Sequence, residues 1–84
     1  MPSTIAMLLI WEMCNRLHGG HGPESVQDLY DEMVAELGLS KPSEKKIRFH
    51  IKAEIDLIEG NGLCTAEQAN IIRKTIAPGA VNES

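Results

Sequence analysis

Val26-x-x-Leu29-Tyr30-x-x-Met33-x-x-x-Leu37, then Gly38-Leu39-Ser40, then Ile47-x-x-x-Ile51-x-x-x-Ile55-x-x-Ile58, closing on Gly60-Asn61-Gly62-Leu63, is the stretch that decides the fold. Apolar side chains recur at three- and four-residue steps on both sides of the glycine break, the repeat of a helix with one packed face. The break is short, so the two helices must turn sharply against each other. That is the outline of a helix-turn-helix unit.

The first of these helices is expected over residues 25–37. Ser25 and Asp28 approximate a capping box at its start, and Gly38 stands where a left-handed C-cap belongs. Its apolar stripe is Val26, Leu29, Tyr30, Met33 and Leu37. Asp28, Asp31, Glu32 and Glu36 make its other face acidic. The second is expected over 43–59, opened by Pro42-Ser43. Its four isoleucines lie within an arc of roughly 80° at 100° per residue and should pack on the preceding helix. Lys45, Lys52 and Phe49 fall on the opposite side, with Arg48 at its edge.

Two more helices flank this unit. Residues 4–17 begin with an apolar run, Thr4 to Cys14, that Ser3 or Thr4 can cap and Gly19-Gly20 ends. It is apolar nearly all round, which suits the central helix of the core. It is too short to span a membrane, which takes about 20 residues. No positive charge precedes it and no small-residue cleavage site follows it, so it does not read as a signal peptide. Thr65-Ala66-Glu67-Gln68 is a capping-box sequence, and a short helix is expected over 66–76 before Pro78-Gly79. The expectation is an all-α, compact four-helix domain, residues 1–77, with a central helix-turn-helix-like unit and a flexible tail over 78–84.

The chain has 84 residues and a net charge of -4, which disfavours strong non-specific binding to nucleic acid. The charge is unevenly spread. Residues 1–40 carry six acids and one base, whereas 41–60 carry five bases and four acids. Two cysteines, Cys14 and Cys64, are too few for a disulfide framework, and reduced thiols in a cytoplasmic protein are the default reading.

A helix that recognises DNA needs one packed face and one free face bearing cations and long polar side chains. On this basis Lys41, Lys45, Lys46, Arg48 and Lys52 would neutralise phosphates, and Ser43, Glu44 and His50 would approach bases in double-stranded DNA. A single domain makes few phosphate contacts, so a homodimer reading two half-sites is expected, with the first helix and Trp11 as its interface. Phe49 has two readings: the fourth helix covers it through Ile72 and Ile76, or it is an exposed anchor for a partner.

These residues also carry a resemblance. An apolar first helix, then Val26-x-x-Leu29-Tyr30-x-x-Met33, then Leu37-Gly38-Leu39-Ser40-Lys41-Pro42-Ser43, then Ile47-x-x-x-Ile51-x-x-x-Ile55 and Leu57-Ile58-Glu59-x-Asn61-Gly62-Leu63 are similar to the winged-helix domain at the C-terminus of archaeal origin-recognition initiators, and to winged-helix regulators more broadly. About two-thirds of the chain takes part. The resemblance implies a DNA-binding domain in transcription regulation. It also implies a β-hairpin wing after Gly62-Leu63, but here Cys64 leads straight into the Thr65 capping box, so the wing looks missing.

Other chemistry is thinly represented. Cys14, His18 and His21 are weak metal candidates, with Cys64 as a fourth ligand should the chain return there, but the spacing matches no standard zinc site. Gly19-Gly20-His21-Gly22 lacks the Lys-Ser/Thr ending of a phosphate loop. No catalytic set and no cofactor motif is evident, so an enzyme is not expected. The main alternative is a non-enzymatic protein-interaction module, such as a phage- or mobile-element-encoded inhibitor or adaptor, using Asp28, Asp31 and Glu32 or the Phe49 surface.

Overall fold

A computed structural model describes residues 2–76 and contains four α-helices: α1 (Pro2–His18), α2 (Pro23–Leu37), α3 (Lys41–Gly60) and α4 (Ala66–Thr75). No strand occurs among the described residues. The radius of gyration, 11.8 Å, is that of a compact chain of this length. The expected stop at Pro78-Gly79 and the tail over 78–84 lie outside the described residues.

Helix ends follow backbone chemistry. α1 begins at Pro2, where a fixed φ and a missing N–H suit the first turn, so Ser3 and Thr4 lie inside the helix and do not cap it. α2 also begins on a proline, Pro23, with Gly22 as N-cap. The expected Ser25–Asp28 box does not form. Ser25 is buried, and its hydroxyl donates back to the Gly22 carbonyl at 2.7 Å. Ser40 caps α3 by accepting from the Ser43 amide at 3.3 Å, so this helix starts two residues before the expected position. At α4 the Thr65–Gln68 capping box is complete in both directions, each bond 3.1 Å.

α2 and α3 close in the same way. Gly38 (φ 60°) and Gly62 (φ 80°) take the left-handed conformation that a side chain disfavours. The next amide reaches back to the last turn, Leu39 to Val34 O and Leu63 to Ile58 O, both at 3.1 Å. This Schellman closure consumes carbonyls that a helix end leaves unpaired. It also leaves only Gly38, Leu39 and Ser40 between α2 and α3.

The core is aliphatic. Ala6, Leu9, Ile10 and Met13 of α1, Val26 and Tyr30 of α2, Ile47, Ile51, Ile55 and Ile58 of α3, and Ala69, Ile72 and Ile76 at α4 are all buried. α1 is central and touches each of the other three helices. Two expectations are corrected by the packing. The isoleucine face of α3 lies chiefly along α1, while α2 and α3 barely meet through their backbones. α1 is also not enclosed: three neighbours cover one side of it and leave Met7, Leu8 and Trp11 exposed. Leu37, on the α2 stripe but at its last residue, is exposed as well.

Candidate functional site

The solvent face of α3 lies opposite its isoleucines. At 100° per residue Phe49 falls about 165° from the centre of that stripe, with Lys45 and Lys52 to one side and Lys46 to the other. All four are exposed, as is Lys41 at the helix start. Among the described residues, none of these lysines has a carboxylate within ion-pair distance; the ion pairs present are those of Arg73. Ser43, Glu44 and His50 are half-buried at the margins of the face. The capping of α3 at Ser40 explains part of this, since Ser43 is drawn into the cap, where its hydroxyl accepts from Ser40 Oγ at 3.1 Å.

Tyr30 organises one edge of the face. Its phenol sits in the α2 stripe with the ring buried, and a buried hydroxyl needs partners. It donates to Glu44 Oε1 at 3.1 Å and accepts from Arg48 Nε at 3.1 Å. The Arg48 guanidinium carbon also lies 5.1 Å from the Tyr30 ring centroid, a cation–π distance. Burial pushes the Tyr30 phenol above its ordinary pKa, and Arg48 only partly offsets this. Two residues expected to reach outward, Glu44 and Arg48, are thus tied inward to α2. They still line a shallow groove of about 250 Å³ with Lys41 and Lys45.

Phe49 resolves to its exposed reading. It is 65% exposed, the most open of the large apolar side chains. Ile72 and Ile76, which would have covered it, are spent in the core. Its ring meets the neighbouring His50 edge-on at 5.7 Å between centroids. On α2, Asp28, Asp31 and Glu32 are exposed, and Asp31 accepts from Gln27 at 2.9 Å.

The thiol expectation is overturned. Cys14 and Cys64, 50 residues apart, are joined in a disulfide with their Cα atoms 6.1 Å apart. Folding returns the α3–α4 loop to the last turns of α1, a proximity that neither cysteine's local sequence encodes. Both sulfurs are consumed, so neither is free for a metal, and no group of three metal-ligating side chains assembles among the described residues. His18 has another task. Gln68 Oε1 is occupied by the Thr65 amide, so Gln68 Nε2 donates to His18 Nδ1 at 3.1 Å. His18 Nε2–H then donates to the Leu63 carbonyl at 3.3 Å. His21 stays exposed in the loop. Beside the disulfide, Trp11, Asn15, His18, Ile58, Gly62 and Leu63 line an open cleft of about 290 Å³.

α4 is locked to α3 from its far end. Arg73 donates to Asp56 Oδ1 at 2.5 Å and Glu59 Oε1 at 2.6 Å. Burial alone would lower the Arg73 pKa, but the Glu59 and Asp56 carboxylates outweigh it and raise it. Asp56 and Glu59 are thereby paired with α4 and not with the lysines of α3.

No helix among the described residues is long and apolar enough to cross a membrane. Comparison with protein-family models, with curated proteins and with solved structures gave no match.

Proposed function

We propose that the protein is a small DNA-binding regulatory protein that uses α3 as its recognition helix. One observation carries this reading: Lys41, Lys45, Lys46 and Lys52 share the exposed side of one helix, with no ion-pair partner among the described residues, in a chain whose net charge is -4. Three of the four acids of α3 are engaged, Asp56 and Glu59 by Arg73 and Glu44 by Tyr30, which leaves the cations open to an external polyanion. Supporting this, the α3 face is convex and one helix wide, which a major groove of about 12 Å admits. Within the proposal the lysines contact phosphate, and Ser43, Glu44, Arg48 and His50 sit at the margins of the contact. The winged-helix resemblance belongs to the same reading, without a wing. A homodimer would use Met7, Leu8 and Trp11 of α1 and present two copies of α3.

A cytoplasmic location is part of the proposal. The Cys14–Cys64 disulfide weighs against it, since disulfides are rare where glutathione and thioredoxin keep thiols reduced.

The test is fluorescence anisotropy of a labelled duplex at low and near-physiological salt. Log affinity should fall against log salt with a slope of about -0.9 per phosphate contacted. Lys45→Glu with Lys52→Glu should abolish binding while the helical circular dichroism is unchanged, since both side chains stand clear of the core. Retained affinity in that variant, or no binding at low salt, refutes the assignment. In the second case the exposed acids of α2 favour a protein-interaction module, and charge reversal at Asp28, Asp31 and Glu32 becomes the variant to carry into partner capture.

A further inference from the structure

We propose that Phe49 makes α3 selective for thymine, by resting its ring on a thymine C5-methyl group in the major groove. The inference rests on the DNA-binding reading and deepens it. Phe49 has three properties that no other residue of the chain combines. It is the most exposed large apolar side chain among the described residues. It stands nearly opposite the buried isoleucines, so a ligand approaching α3 meets it centrally. It is bracketed by lysines at positions -4, -3 and +3, which are Lys45, Lys46 and Lys52. A helix seated in a groove turns its flanks to the phosphates and its centre to the base edges. The lysines suit the flanks, which leaves Phe49 for the bases.

A phenyl ring can neither donate nor accept a hydrogen bond. Of the groups displayed in the major groove, the thymine methyl is the apolar one, and Phe is among the side chains that meet it. The His50 ring lies edge-on beside it, at 5.7 Å between centroids. Lys45, Lys46 and Lys52 outnumber the exposed Asp56 on this face, and the net positive surround fits a polyanion by charge complementarity.

The experiment compares two probes in the same anisotropy assay: a short duplex of alternating dA and dT, and the same duplex with deoxyuridine replacing thymidine. The substitution removes only the methyl groups. Wild-type protein should bind the thymidine duplex about fourfold more tightly, the worth of one buried methyl-sized group. Phe49→Ala should bind both duplexes equally while keeping its salt dependence, and Phe49→Leu should retain part of the preference. Phe49 is 65% exposed and lies outside the core cluster, so these variants test recognition and not folding. Equal wild-type binding to both duplexes, still lost in Lys45→Glu with Lys52→Glu, overturns the role of Phe49 and leaves the DNA-binding reading standing. Tighter binding to a single strand than to the duplex also overturns it, because Phe49 would then stack on an unpaired base. No binding to either duplex at low salt overturns both.

Discussion

Breaking the Cys14–Cys64 disulfide should cost this domain a large share of its stability. The cross-link closes a loop of 50 residues. In the chain-entropy account this withdraws about 4 kcal/mol of freedom from the unfolded ensemble. At roughly 0.05–0.15 kcal/mol per residue, a chain of 84 residues holds about 4–13 kcal/mol in all. The disulfide therefore supplies between a third and nearly all of the net stability. A domain of this size moves its Tm by about 4–8 °C per kcal/mol, so reduction should lower Tm by about 15–30 °C. The assay is thermal unfolding followed by far-ultraviolet circular dichroism, on oxidised wild type, on wild type in a phosphine reductant, and on the Cys14→Ala/Cys64→Ala variant. Comparing one chain in two redox states isolates the cross-link from side-chain volume. The variant should match reduced wild type and ignore the reductant. The remaining ties of the α3–α4 loop to α1, through His18, Leu63 and Gln68, are hydrogen bonds on exposed side chains and cannot make good the loss. Coincident melts of the oxidised and reduced forms would refute the reasoning, and two titratable thiols in the native, unreduced protein would refute the bond itself.

Two further outcomes test the contacts around α3. Tyr30 is the sole tyrosine, so its ionisation is readable by absorbance near 295 nm. Because burial raises its folded pKa above the ordinary 10.0, the native midpoint should lie above that in denaturant. The unfolded chain then loses its phenolic proton first, and stability falls as pH rises above about 10; equal midpoints would refute the burial of this phenol. At Arg73, Glu59→Gln should destabilise more than Asp56→Asn, by about 1 kcal/mol against a few tenths. The Glu59 side chain is 31% exposed and that of Asp56 78%, so solvent screens the second pair far more. Denaturant melts in which Asp56→Asn is the costlier change would overturn that ranking.

What could be read from the chain divides by the range of the interaction that decides it. The isoleucine stripe of α3, the left-handed turn at Gly38 and the Thr65–Gln68 box depend on residues within a turn or two, and each appears in the structure as its spacing implies. The starts of α2 and α3 were harder, because two residues at each competed for one role. Ser25 carries good capping chemistry, but Pro23 can only stand in a first turn, which leaves Gly22 as the cap and carries Ser25 inside. Ser43 likewise yields the cap to Ser40, since Pro42 is acceptable at the second helical position. The tertiary contacts that sequence reading missed join residues far apart. Tyr30 meets Glu44 and Arg48 at separations of 14 and 18, and Cys14 meets Cys64 at 50. Periodicity says which face of a helix is buried, but not which helix it is buried against. Once α3 lies along α1 instead of α2, α2 and α3 are left with little backbone contact, and Tyr30 becomes the polar bridge between them. One signal of this was present: a tyrosine in an otherwise aliphatic stripe carries a hydroxyl that must be satisfied at the edge of the core. The same geometry explains why Phe49 lies open. α4 spends Ile72 and Ile76 on the common core and Arg73 on the α3 carboxylates, so it has no apolar side chain left to turn toward the lysine face.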